Sequence, residues 1–205
     1  RVPAVLFSLG TVILTFLLAK QLTDNVIIGL FSSFFISISP WFFIFSRTGY
    51  EATAGLMFYM LAIFLFLQIK KNSWYILFSS ISFILSIYSY NSFRIIVPFT
   101  ILLLICYEIK NLVVTIKRNI IIIAFSLIIL ILSIIPIYRL YVYDAGISRL
   151  QVVATTKVDF IKNYLSHFSP DFLILYGDKN LRSQQAGFGQ LYLPELILLP
   201  LGFWY

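Results

Sequence analysis

Ser39-Pro40-Trp41-Phe42-Phe43-Ile44-Phe45-Ser46-Arg47-Thr48-Gly49-Tyr50-Glu51 closes one long apolar segment and opens the next, with an arginine and a glutamate four residues apart between them. Ionisable groups beside hydrocarbon are costly, about 2.5–3.5 kcal/mol each at mid-membrane on insertion scales, and those that persist mark functional positions. The runs on either side, 26–46 and 52–69, are each about as long as a membrane-crossing helix, which needs roughly 20 mostly apolar residues. The stretch therefore reads as the turn between two spans, with its charges held at one membrane face.

Composition agrees with that reading across all 205 residues. Hydrophobic residues make up 60% and charged residues 11%, with a mean hydropathy of +0.96. Soluble domains lie near 45–50% apolar and about 25% charged, so the expected class is an all-α polytopic membrane protein. Spans are expected at 2–22, 26–46, 52–69, 74–89, 95–109 and 119–138, and a seventh starts near 191, giving six to seven in all. The fifth, about 15 residues, is short for a full crossing and needs local thinning or protein burial of its ends. The chain opens at Arg1 without a methionine and ends at Trp204-Tyr205 inside an apolar run. We therefore expect it to be a window on a longer protein. The run 2–22 is too long for the apolar core of a signal peptide.

The net charge of +7 does not point to nucleic acid, because its lysines and arginines stand at segment ends and form no stripe. Their placement orients the helices instead. With strict alternation, Lys20, Lys70, Lys71, Lys110, Lys117 and Arg118 fall on one side, against Arg1, Arg47 and Arg94 in the short opposite loops. The positive-inside rule makes the first side cytoplasmic. Arg47, Glu51, Tyr90, Asn91, Arg94 and the whole of 139–190 then share the extracytoplasmic face.

The long loop 139–190 carries its own structure. Thr156-Lys157-Val158-Asp159 reads as a capping box. Val158, Ile161, Leu165 and Phe168 then recur at helical spacing, which predicts an amphipathic helix at the membrane surface that ends at Ser169-Pro170. A short apolar run, 172–176, is closed by Gly177-Asp178, and the polar tract 179–189 follows. The lone cysteine, Cys106, lies in an apolar run and supports neither a disulfide framework nor a metal site. Polar positions do not recur inside several spans as an ion channel would require.

The residues resemble a known class. Arg1-Val2-Pro3-Ala4 opening a span, Ser39-Pro40-Trp41, Ser46-Arg47-x-Gly49-Tyr50-Glu51 and Tyr88-x-Tyr90-x-x-x-Arg94-x-x-x-Pro98 look like the GT-C class of membrane glycosyltransferases. The similar branch is the bacterial protein O-mannosyltransferase and aminoarabinose-transferase-like group. His167-Phe168-Ser169-Pro170-Asp171-Phe172, Gly177-Asp178-Lys179-Asn180-Leu181-Arg182 and Gly187-x-Gly189-Gln190-Leu191 resemble the large external loop of its members. The resemblance implies an integral protein of the bacterial inner membrane with an extracytoplasmic active face. It implies inverting transfer of a hexosyl or pentosyl group from a polyprenyl-phosphate donor to a protein, glycolipid or polysaccharide acceptor of the cell envelope. In that class the catalytic acidic residue lies in the first external loop, which would precede Arg1, so this window alone is expected to be inactive. No cofactor is implied with certainty; a divalent metal is compatible with the class, and no metal ligand is assigned here.

Such a donor departs as a phosphate, and the site needs cations where that charge develops. Arginine fits because its planar fork grips phosphate with two N–H groups and stays charged. Arg47, Arg94 and Arg182 are the candidates, with snorkelling interface anchors as the structural reading of the first two and a solvated loop charge as that of Arg182. Tyr90, Asn91, His167, Asp178 and Asn180 join them as substrate-binding candidates. Tyr88, Tyr90 and Trp41 also fit an interfacial aromatic belt, and His167 also fits the polar end of an amphipathic helix. Glu51 is the acidic candidate, positioning an acceptor or a metal, or else pairing with Arg47 at i,i+4 spacing if Gly49 leaves the helix intact. Two other function classes stay open, a transporter or flippase of lipid-linked sugars and a non-catalytic membrane scaffold.

Overall fold

A computed structural model describes residues 2–143, 157–178 and 189–204. All the regular structure among them is helical: α1 Val2–Thr23, α2 Val26–Ile38, α3 Pro40–Thr48, α4 Glu51–Phe66, α5 Trp74–Ser89, α6 Phe93–Tyr107, α7 Ile109–Arg118, α8 Ile120–Tyr143, α9 Lys157–Ser166, a π-helical turn Asp171–Leu175, and α10 Leu193–Trp204. Asn180 and Arg182 lie outside the described residues, as does most of the polar tract that holds them.

The breaks have local causes. Asp24 takes a positive φ of 51°, and the Asn25 side chain then caps α2 by accepting the Ile27 and Ile28 amides at 2.8 and 3.4 Å. Proline at the first turn of α3 supplies no N–H to continue the helix before it, so α2 and α3 meet at a 61° bend. The segment 26–46, expected as one span, is thus a bent pair. A second bent pair, at 85°, joins α6 to α7 across Glu108. The segment 110–118, expected as a connecting loop, forms most of α7, a helix lying across the end of α6. By contrast, Pro98 and Pro136 sit inside α6 and α8 without ending them.

Two helices among the described residues, α1 and α8, are long and apolar enough to cross a membrane, and there are four candidates if each bent pair is one span. That is fewer than the six to seven expected. The apolar helices α4 and α5 have 16 residues each, about 24 Å at 1.5 Å per residue, against a hydrocarbon thickness of about 30 Å. Only 11% of the most apolar window of α8 is buried. An apolar surface this extensive is stable against lipid, not water, and associates the chain with a membrane.

Side-chain contacts give the helix directions. Gly10 approaches Met57 and Thr15 reaches Met60, so α1 and α4 are parallel. Ser79 Oγ donates to the Ala62 carbonyl at 2.8 Å and Ser86 Oγ to the Gly55 carbonyl at 2.9 Å, so α5 runs antiparallel to α4. Tyr88 donates to the Ser133 carbonyl at 2.7 Å, while Arg118 and Asn119 meet Ser73, so α8 runs with α5. The packed core lies among α4, α5 and α6, where Ala62, Phe83 and Val97 are almost wholly enclosed. The bundle has two ends: one holds Tyr50, Glu51 and Tyr90, and the other holds Lys70, Ser73 and Arg118.

The α4–α5 seam follows membrane-type packing, in which small residues let backbones approach and hydroxyls bond across. A Cβ at Gly55 would stand 2.7 Å from the Phe93 ring and 3.3 Å from Tyr90 Cβ. Ser79→Ala and Ser86→Ala should each cost about 0.6 kcal/mol in a denaturant titration in bicelles. Gly55→Leu should cost about 2 kcal/mol, because its side chain would enter space that the Phe93 ring fills.

Candidate functional site

The Tyr90 end collects most of the residues that the sequence singles out. Gly49 takes a left-handed φ of 77° and ends α3, placing Arg47 in its last turn. Glu51 then opens α4 as its first residue, where a carboxylate favours the helix dipole. The two are on different helices, so the i,i+4 pair weighed for them does not form. Arg47 is exposed and its guanidinium lies 5.2 Å from the Phe43 ring centroid. That cation–π contact suits an arginine at a membrane interface.

Tyr90 ends α5 in an extended conformation, and Asn91 and Arg94 follow at the entry to α6. The Phe93 and Arg94 amides bond back to the Tyr90 and Asn91 carbonyls at 3.1 Å each, forming a tight turn. Tyr90 and Phe93 meet edge to face, and both press on Gly55, one turn along α4 from Glu51. Tyr90 and Asn91 are exposed, while Arg94 is half-buried. Glu51, Tyr90, Asn91 and Arg94 thus share one corner, with Arg47 on the adjoining helix end.

A side-chain hydrogen bond ties the later segment to this half of the molecule. Tyr192 Oη donates to the Ile38 carbonyl at 3.0 Å, at the α2–α3 break. Leu191 N–H donates to the Leu173 carbonyl at 2.8 Å, so residues 189–192 also hold the π-helical turn. The expected amphipathic helix is present as α9, with Ile161, Tyr164 and Leu165 exposed. His167 turns back on its own segment. Its Nδ1 lies 2.7 Å from the Asn163 carbonyl, and its ring meets Phe172 edge to face at 4.8 Å. Asp178 is half-buried after Gly177, which has φ 71°.

Sequence reasoning passed over Glu195. Its carboxylate accepts the Tyr192 amide at 2.8 Å, the return half of a capping box that starts α10. With Ser32, Phe35, Leu191, Leu198, Leu199 and Gly202 it lines an open cleft of about 410 Å³ between α2 and α10. The available signal was an acidic residue inside an otherwise apolar run. Among the described residues no three His, Cys, Asp or Glu side chains gather to hold a metal ion.

No protein-family model, curated protein or solved structure matches the chain.

In a Cys106→Ser background, single cysteines at Arg47 and Asn91 should react with an impermeant thiol reagent from the same side of sealed vesicles. A cysteine at Lys117 should react from the opposite side. Labelling of all three from one side contradicts the helix directions described above.

Proposed function

We propose that this chain belongs to a membrane glycosyltransferase that uses a polyprenyl-phosphate sugar and works at the Tyr90 end of the bundle. The observation that carries the reading is the convergence, from four helix termini, of Arg47, Glu51, Tyr90, Asn91 and Arg94 on that end. The sequence likeness to GT-C enzymes supports it. The reading includes the bent pairs and the shorter helices α4, α5 and α10 as spans, six to seven in all, with the Tyr90 end outside the cytoplasm of a bacterial cell.

In such a reaction the acceptor oxygen bonds to the anomeric carbon as the bond from that carbon to the phosphate oxygen breaks. The leaving polyprenyl phosphate keeps the electron pair, and the proton of the acceptor hydroxyl passes to a general base. Arg94, half-buried, and Arg47, at the surface, supply positive charge where that phosphate develops. Tyr90 offers an apolar face for a sugar ring, and Asn91 offers hydrogen bonds to hydroxyls. Glu51 orients the acceptor.

One observation favours a second reading. A helix pair broken inside the apolar region, as α2 and α3 are at Ser39-Pro40, is also how transporters build substrate sites. A flippase of the same lipid-linked sugar would use the same cationic end.

In the complete protein in native membranes, Arg94→Ala should lower sugar transfer about a hundredfold, the scale for losing one group that stabilises developing charge. Arg47→Ala should lower it by about tenfold, since an exposed charge is screened. Western quantification must show normal membrane levels for both. Unchanged turnover in both variants removes these residues from the site, and lipid translocation without transfer selects the flippase.

A further inference from the structure

At the end of the bundle opposite Tyr90, helix α7 turns by 85° from α6 and lies across the helix ends. Its inner face is held in place. Thr115 is buried, and Leu112 and Ile116 pack on the core. Glu108 is buried and accepts a bond from the Asn111 side chain. At its far end, Arg118 Nε and Nη2 donate to Ser73 Oγ at 3.1 and 2.9 Å, and Asn119 Nδ2 donates to the same oxygen at 3.0 Å. Ser73 is completely enclosed, so these bonds dock α7 against the loop that carries Lys70 and Lys71.

The outer arc of α7 combines two chemistries. Ile109, Val113 and Val114 are exposed, and Lys110 and Lys117, also exposed, project between them on the helical wheel. Lys70 and Lys71 are exposed beside them; Lys71 bonds Gln68 at 3.0 Å, leaving its charge unneutralised. From residue 66 to residue 120 the sole acidic residue is Glu108, and it faces inward. Trp74 and Tyr107, at the N-terminus of α5 and the C-terminus of α6, are exposed at this end of the bundle, and such aromatic rings favour a membrane–water boundary.

We propose that the outer face of α7, with Lys70 and Lys71, is a docking surface for the headgroups of anionic phospholipids in the adjoining leaflet. The valines and Ile109 sink into the acyl boundary while the lysine stems extend their ammonium groups to the phosphates. Water alone does not explain the arc, which is as apolar as it is basic. A soluble acidic partner would leave Ile109 and Val114 facing the headgroup region uncovered. The docked lipids fix the depth of α7 and, through Arg118 and Ser73, the N-terminus of α5. This role is separate from chemistry at the Tyr90 end.

The test reconstitutes the chain in nanodiscs of equal parts phosphatidylcholine and phosphatidylglycerol, then measures by mass spectrometry the lipid retained through stripping with mild detergent. Each basic residue near an anionic surface multiplies affinity about fivefold, so the wild type should retain phosphatidylglycerol over phosphatidylcholine by about tenfold or more. The combined variant Lys70→Gln, Lys71→Gln, Lys110→Gln and Lys117→Gln should fall to within about twofold of no preference. The corresponding four-arginine variant should keep the preference, and its circular dichroism and that of the glutamine variant should match the wild type. Equal retention of both lipids by the wild type overturns the proposal. So does a preference that survives the glutamine changes, or one abolished by inorganic phosphate, which would mark a free-anion site.

Discussion

The bond from Ser86 to the Gly55 carbonyl, repeated two turns away by Ser79 and Ala62, is the contact on which the rest of the bundle depends. Lipid tails are as apolar as leucine, so burying leucine between two helices in a bilayer gains little. Close backbone approach and a hydroxyl bonded across the seam supply the association instead. The space that Gly55 leaves admits the Phe93 ring and the Tyr90 Cβ. The seam therefore determines where the α5–α6 turn sits, and with it the position of Asn91 and Arg94 relative to Glu51.

The two ends of the bundle use polar groups differently. At the Tyr90 end, charged and amide side chains sit at helix termini, exposed but for the half-buried Arg94. At the other end a buried serine gathers a guanidinium and an amide from the α7–α8 junction, and Lys70, Lys71, Lys110 and Lys117 are exposed. Between the ends, buried hydroxyls among the described residues are bonded. Ser8, Thr11, Ser80 and Ser126 each donate to the carbonyl four residues back. Such local bonds let small polar residues sit within apolar helices without an exposed donor.

Much of the helix pattern was legible because it depends on local chemistry. Apolar run length marked α1, α5 and α8 within a few residues, and the three- and four-residue spacing after Lys157 marked α9. Gly49 and Pro40 were visible as punctuation, yet reading 26–46 as one span underrated proline at a helix start, which separates α3 from α2. Helix α7 was missed because its five polar residues among ten suggested a loop. Its amphipathic face acquires meaning only against the ends of its neighbours. Glu195 was passed over for the same reason, since its cleft is made by α2, far away in the chain.

Taken alone, the sequence determined the helical class, the membrane association and the placement of charge at segment ends, because hydrophobicity and proline or glycine chemistry act within a few residues. Only the tertiary structure decided which ends meet. The parallel run of α1 with α4, the Ser79 and Ser86 bonds and the crossing of α7 all join residues far apart in the chain. Their distances depend on packing across helices, which no local pattern encodes.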